Sequence, residues 1–348
     1  MSIKKTDANS YHTGKISKGC KLCIKGRKSV LFVTGVCNVN CYYCPLSEEK
    51  KGRDFSYINE RKIEGNQDIL EELKACSSKG ISLTGGDPLL RINRCLEYSK
   101  LIKDNYNSAH IHLYTGTTDK SVLNLKKLEG YVDEVRFHVK NADEIQKLDA
   151  FLDMNFIFGI EIPAIPGDFE RIKKIIQAAE KTHLSFVNLN EFEYTDTNWD
   201  NLCERGFEFD SDTSMIKGSK ELSLELIETF EDSNIPIHFC PSVLKDAIQL
   251  RRRWEIRARN TKKYYEEIED CLIVKGVLEG DTEEIVEYLI NKINISKRMY
   301  EIEDDKVYTH WAIAEEISED TNFSRKIKIG IIKEYPIYKR LVAEYIPL

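Results

Sequence analysis

No stretch of this 348-residue chain comes near the roughly 18 uninterrupted apolar residues of a membrane helix, so no membrane span or membrane partner is expected. The start, Met1-Ser2-Ile3-Lys4-Lys5-Thr6-Asp7, lacks the apolar stretch of a signal peptide, and the expected location is the cytoplasm. Eight prolines and eighteen glycines are too few for a low-complexity or fibrous chain. Positive charge is not in excess either. With 51 Lys and Arg against 58 Asp and Glu the net charge is −7, which argues against a surface given over to nucleic acid or anionic lipid, though a local basic face is compatible. What is present, 41% hydrophobic and 31% charged residues, suits two average domains or one large α/β domain with an appendage.

Cysteine is the residue in surplus. There are ten, and Cys20, Cys23, Cys37, Cys41 and Cys44 fall within one short segment. Disulfides are uncommon in a reducing cytoplasm, so metal binding is the expected use of that group. Cys76, Cys95, Cys203, Cys240 and Cys271 are scattered, and most are expected to be small buried hydrophobes.

After a polar arm over residues 1–27, β-branched and aromatic runs alternate with helical patterns, the mark of successive βα units on a parallel sheet. Strands are expected at Ser29–Val36, Ile81–Thr84, His110–Thr115, Glu134–Val139, Phe156–Ile162, Phe186–Phe192 and Ile235–Phe239. Helices are expected at Gln67–Ser78, Leu89–Tyr106, Lys120–Leu128, Ala142–Leu152, Phe169–Lys181 and around Ser219–Asp232. Six or seven repeats over residues 28–243 predict an α/β fold, a TIM-like βα barrel that is partial because a full one takes ~250 residues. A doubly wound open sheet fits the same alternation, and in both folds function belongs at the carboxyl ends of the strands. Residues 244–348 read as a long basic helix over 244–263 and a small α+β domain, with strands at Leu272–Leu278 and Lys326–Ile332 and helices at Thr282–Lys292 and Trp311–Ser318.

Directly after the first strand stands Cys37-Asn38-Val39-Asn40-Cys41-Tyr42-Tyr43-Cys44-Pro45. Three thiolates in one loop reach three corners of an iron–sulfur cluster and leave one iron without a protein ligand, an opening for chemistry. The rival is a zinc ribbon built from Cys20-x2-Cys23 and Cys41-x2-Cys44, a noncatalytic binding protein that leaves Cys37 unused.

The Cys37-x3-Cys41-x2-Cys44 spacing, with Tyr43 before the last cysteine, resembles the signature of the radical S-adenosylmethionine superfamily. Ser82-Leu83-Thr84-Gly85-Gly86-Asp87-Pro88, ending the second strand, resembles that family's Gly-Gly-Glu-Pro motif with Asp for Glu. The resemblance implies a [4Fe–4S] cluster on Cys37, Cys41 and Cys44 and S-adenosylmethionine bound at its open iron. It further implies that the backbone of Gly85, Gly86, Asp87 and Pro88 contacts the methionine amino group and that Tyr43 lies along the adenine. The fifth and sixth strands resemble those of the pyruvate formate-lyase-activating-enzyme-like branch, which makes Glu161, Asn188 and Asn190 candidates for the ribose, carboxylate or adenine. Thr115, His138 and Lys140 are expected around the same mouth. A ferredoxin- or flavodoxin-like donor is implied, and the substrate, a small molecule or a protein, is not identified.

Two further features stay open. Cys20, Cys23 and Cys240, which closes the last strand, are expected to share a face where they could hold an auxiliary cluster or a zinc. Eight Lys and Arg against two acids between Leu244 and Lys263 could grip phosphates, which would make the chain an RNA-modifying member, or could be neutralised by the acidic residues that follow.

Overall fold

The computed structural model describes residues 2–6, 9–149, 153–211 and 213–348. Two compact units divide the chain, one of residues 1–74 and 78–250 and the other of residues 75–77 and 251–348.

Seven parallel strands frame the first unit: β1 (Lys28–Thr34), β2 (Gly80–Gly85), β3 (His110–Thr115), β4 (Glu134–Phe137), β5 (Ile157–Ala164), β6 (Phe186–Glu191) and β7 (Ile237–Cys240). Each pairs in parallel with its neighbour in the chain. The order therefore never reverses, which rules out the doubly wound alternative and its switch point and leaves a partial βα barrel. Among the described residues the two ends of this sheet do not pair with each other. β1 is flanked by the short strands Tyr57–Ile58 and Arg61–Lys62, and β7 by Tyr11–His12 and Lys4–Lys5 from the N-terminal arm.

The βα alternation arises as the apolar pattern dictates. Asn66–Ala75, Ile92–Asn105, Ala142–Asp149, Phe169–Ala179 and Ser219–Thr229 are α-helices, and Ile69, Leu73, Ile102, Ile145, Ile172, Ile176 and Leu226 meet the outward apolar residues of the strands in one core. The fourth expected helix, Ala142–Leu152, ends in three residues that lie outside the described ones. Lys120–Leu128 winds as a 3₁₀-helix. The N-terminal arm forms a helix at Lys18–Ile24, capped by Ser17, which accepts a hydrogen bond from the Cys20 N–H.

The expected single basic helix is two segments of different winding. Leu244–Leu250 is a π-helix, with Leu244 and Lys245 on the wall of the barrel cavity, and Arg251–Thr261 is α-helical.

The second unit carries a six-stranded antiparallel sheet in the order Tyr300–Glu303, Lys306–Thr309, Leu272–Glu279, Lys328–Glu334, Val342–Pro347, with Glu267–Glu269 also paired to Leu272–Glu279. Helices Thr282–Asn291 and Trp311–Glu319 bury Ile285, Leu289, Ala314 and Ile317 against it.

Candidate active site

Asp87 ties down the mouth of the barrel. Its carboxylate, fully buried, accepts hydrogen bonds from Leu89 N (3.0 Å), Thr115 Oγ1 (2.8 Å), Gly116 N (3.2 Å) and Thr117 Oγ1 (2.9 Å), joining the carboxyl ends of β2 and β3. Gly85, at φ 142°, and Gly86 let the stem of the cysteine loop lie against this turn. A Cβ on Gly85 would stand 2.2 Å from the Thr34 carbonyl oxygen, and one on Gly86 2.3 Å from that of Val36. The N–H groups of Gly86 and Asp87 are spent on those same two carbonyls; a ligand's ammonium, itself a donor, would meet this turn through carbonyl oxygens.

The cysteine loop leaves β1 and returns at Arg53, held by mutual backbone bonds of Gly35 with Arg53 and Gly52. Beyond it Asp54 pairs with Arg91 (2.8 Å) and Arg94 (2.7 Å) and accepts from Thr34 Oγ1. Cys37 is exposed, and Cys41 and Cys44 are half-buried; all three are free thiols on the wall of a cavity of about 450 Å³ that Gly85, Gly86, Tyr43 and His138 also line. Burial pushes the Cys41 thiol up, and so does the proximity of Cys37 and Cys44, while a hydrogen bond with Tyr43 lowers it. Three soft donors crowded on one accessible loop fit a cationic iron–sulfur cluster, which would relieve that repulsion.

Tyr43 packs edge-on against Tyr42 and Phe192, and its hydroxyl is 2.8 Å from His138 Nε2. Burial holds His138 below its ordinary range, so its imidazole is neutral near pH 7. Thr115 is spent on Asp87, and Lys140 is exposed and lines neither this cavity nor the next.

A second cavity, about 440 Å³, occupies the barrel interior and shares Pro45, Gly85, Gly86, Gly116 and His138 with the first. Where a TIM barrel is filled by branched apolar side chains, the inward positions here are Lys28, Ser82, Tyr114, Arg136, Glu161, Asn188 and His238. Arg136 is the hub. It donates to Glu134 (2.6 Å), Glu161 (2.6 Å), Tyr114 (3.1 Å) and Ser17 (2.9 Å). Asn188 and Asn190 each donate to Glu161 at 3.0 Å. Burial alone would raise the Glu161 carboxyl, but Arg136 and the two amides outweigh it and hold it at about 2. Asn188 Oδ1 is buried without a hydrogen-bond partner among the described residues.

Glu161, Asn188 and Asn190 are thus brought together, and Cys20, Cys23 and Cys240 face this same cavity from the N-terminal helix and the end of β7. Asn188 Nδ2 donates to Cys20 Sγ at 3.3 Å. Against burial, Arg136 and His238 hold the Cys20 thiol down at about 6. Among the described residues no three His, Cys, Asp or Glu side chains stand grouped around a single ion. The zinc-ribbon alternative falls with this arrangement, because its two cysteine pairs lie on a helix facing the interior and on a loop at the mouth instead of forming paired knuckles.

Arg136, Glu134, Tyr114 and Lys28 escaped the sequence reading. A signal was available: His110, His112 and Tyr114, then Glu134, Arg136 and His138, then Asn188 and Asn190 place polar groups at alternate positions in strands otherwise apolar. The basic run, by contrast, is largely neutralised. Arg253 and Arg257 are buried, the latter donating to the Pro336 carbonyl. Arg251 pairs with Asp270, Lys263 with Glu301 and Glu303, and Lys245 with Glu193.

A 4Fe-4S single cluster domain matches residues 24–157, and a domain of unknown function matches residues 271–348. A Methanocaldococcus jannaschii protein, provisionally named a glycyl-radical enzyme activating enzyme, is 40% identical over 96% of this chain and 93% of its own length. Among solved structures, Streptococcus suis SuiB bound to S-adenosylmethionine is 13% identical over 64% of this chain, with a TM-score of 0.43. The radical S-adenosylmethionine methyltransferase TsrM of Kitasatospora setae is 12% identical over 66%, with a TM-score of 0.36. The chain spans about half the length of these two, 53% and 52%. No helix among the described residues is long and apolar enough to cross a membrane. With its cluster-domain match, its near-full-length relative and its cysteine loop at the mouth of a partial βα barrel, the chain belongs to the radical S-adenosylmethionine enzymes, in the branch of the pyruvate formate-lyase-activating enzyme, with a [4Fe–4S] cluster and S-adenosylmethionine as cofactors.

Proposed function

We propose that the chain draws its reactivity from a cluster held by Cys37, Cys41 and Cys44 and uses it to abstract hydrogen from a substrate in or over the barrel. A cluster and S-adenosylmethionine bound there would supply, with one electron from a ferredoxin- or flavodoxin-like donor, reductive cleavage to methionine and a 5′-deoxyadenosyl radical. One observation carries the reading: the three-thiol loop lies against the Gly85–Gly86 turn, above a cavity whose walls run on into the polar interior.

The protein's own residues bind, orient and exclude water. Carbonyl oxygens of the Gly85–Pro88 turn receive the methionine ammonium, and Asp87 holds that turn through its four donors. Tyr43, fixed by His138, flanks the adenine. Asn188 Oδ1 offers an acceptor, while Glu161, which accepts from Arg136, Asn188 and Asn190, keeps that amide aimed. The relative's name makes a glycyl-radical enzyme the first partner to test. The experiment is anaerobic reconstitution with iron and sulfide, then S-adenosylmethionine and dithionite. Formation of 5′-deoxyadenosine is expected; an iron-loaded protein that forms none overturns the reading.

A further inference from the structure

We propose that Cys20, Cys23 and Cys240 hold a second iron–sulfur cluster inside the barrel, separate from the one at the mouth. Two elements far apart in the chain, the helix Lys18–Ile24 and strand β7, bring these thiols to one cavity of about 440 Å³. All three are free, and no other cysteine lines that cavity: Cys76, Cys95 and Cys271 are buried elsewhere and Cys203 is exposed.

The surroundings suit thiolate sulfur. Asn188 Nδ2 already donates to Cys20 Sγ at 3.3 Å, and N–H···S bonds of this kind are one of the means by which a protein tunes a cluster. A cluster on three thiolates also brings negative charge into a cavity poor in water, and that charge needs a counterion. Arg136 is committed to Glu134 and Glu161, and Lys245 to Glu193. Lys28 is not committed. It is 9% exposed, lines the cavity beside these thiols, and has no carboxylate within ion-pair distance among the described residues. An uncompensated buried ammonium is costly, and thiolates bound to a cluster would provide its partner.

The choice of cluster over zinc follows from the spacing. Zinc draws every sulfur to about 2.3 Å from one point, and no such grouping exists here among the described residues. Thiols that line one cavity without such a grouping suit a body of several irons and sulfides instead. The mouth cysteines show the same lack of single-ion grouping.

The test is the Cys37→Ala/Cys41→Ala/Cys44→Ala variant of the full chain, reconstituted anaerobically and measured for iron, acid-labile sulfide and zinc, with Mössbauer spectra. The changed residues are exposed or half-buried, so the fold is not at stake. About two to four irons per chain with matching sulfide are expected to remain, and to vanish when Cys240→Ala or Cys20→Ala is added with the far-UV circular dichroism unchanged. A mouth variant without iron, or one that takes up zinc in its place, overturns the proposal, as does iron that survives removal of Cys20, Cys23 and Cys240. Failure of the reading at the mouth shows elsewhere, as wild-type protein that forms no 5′-deoxyadenosine.

Discussion

At the scale of single residues, the account rests on buried carboxylates that are fully engaged. Glu161 is held at about 2, against an ordinary value of 4.5. A carboxyl whose value falls on folding stabilises the native state fully above its unfolded value, and that stabilisation is lost as pH falls through the folded one. Urea midpoints are therefore expected to drop between pH 4.5 and 2.5 by an amount worth about 3 kcal/mol at most, and Glu161→Gln should flatten that drop; an unchanged profile counts against the network. Asp87→Ala strips four donors of their buried acceptor, at a cost of about 2–4 kcal/mol in urea denaturation, and a loss below ~0.5 kcal/mol would show that the carboxylate is not holding the mouth. The cysteines at the mouth were legible in the sequence because ligand spacing within a loop is local. Arg136 and Lys28 were not. Both faces of a barrel strand are buried, and only closure of the sheet tells which alternate positions point inward.

At the scale of elements, the two glycines after β2 serve the protein's own backbone before any ligand. Gly86→Ala would push a methyl group into the Val36 carbonyl and displace the root of the cysteine loop. Reconstituted Gly86→Ala protein is expected to carry less than about half the wild-type iron at the mouth, read in a background of Cys20→Ala/Cys23→Ala/Cys240→Ala; full iron would mean that the loop's position does not depend on this approach. The βα elements were readable because long apolar repeats set them, whereas the hairpin Tyr300–Glu303 to Lys306–Thr309 was missed. Its strands are four residues each with polar alternate positions, and its turn depends on Asp304 at φ 53°, a conformation that aspartate adopts more readily than most residues. In sequence the basic run stays open between phosphate binding and neutralisation by the acidic residues that follow; Asp270 is one of those, whereas the partners of Lys263, Glu301 and Glu303, are set by folding.

At the scale of the whole molecule, a partial barrel with a polar interior and a reactive loop at its rim is joined to a separate α+β unit. Strand order, invisible in the alternation itself, is what separates this architecture from a doubly wound sheet. The central claim is that three thiols on one loop hold the cluster that makes the whole chain an enzyme. The most direct measurement compares wild-type and Cys37→Ala/Cys41→Ala/Cys44→Ala proteins, both reconstituted, for iron content and for 5′-deoxyadenosine formed from S-adenosylmethionine and dithionite. The account predicts that the variant loses about four irons per chain and all detectable 5′-deoxyadenosine; a variant that still forms 5′-deoxyadenosine at the wild-type rate would contradict it.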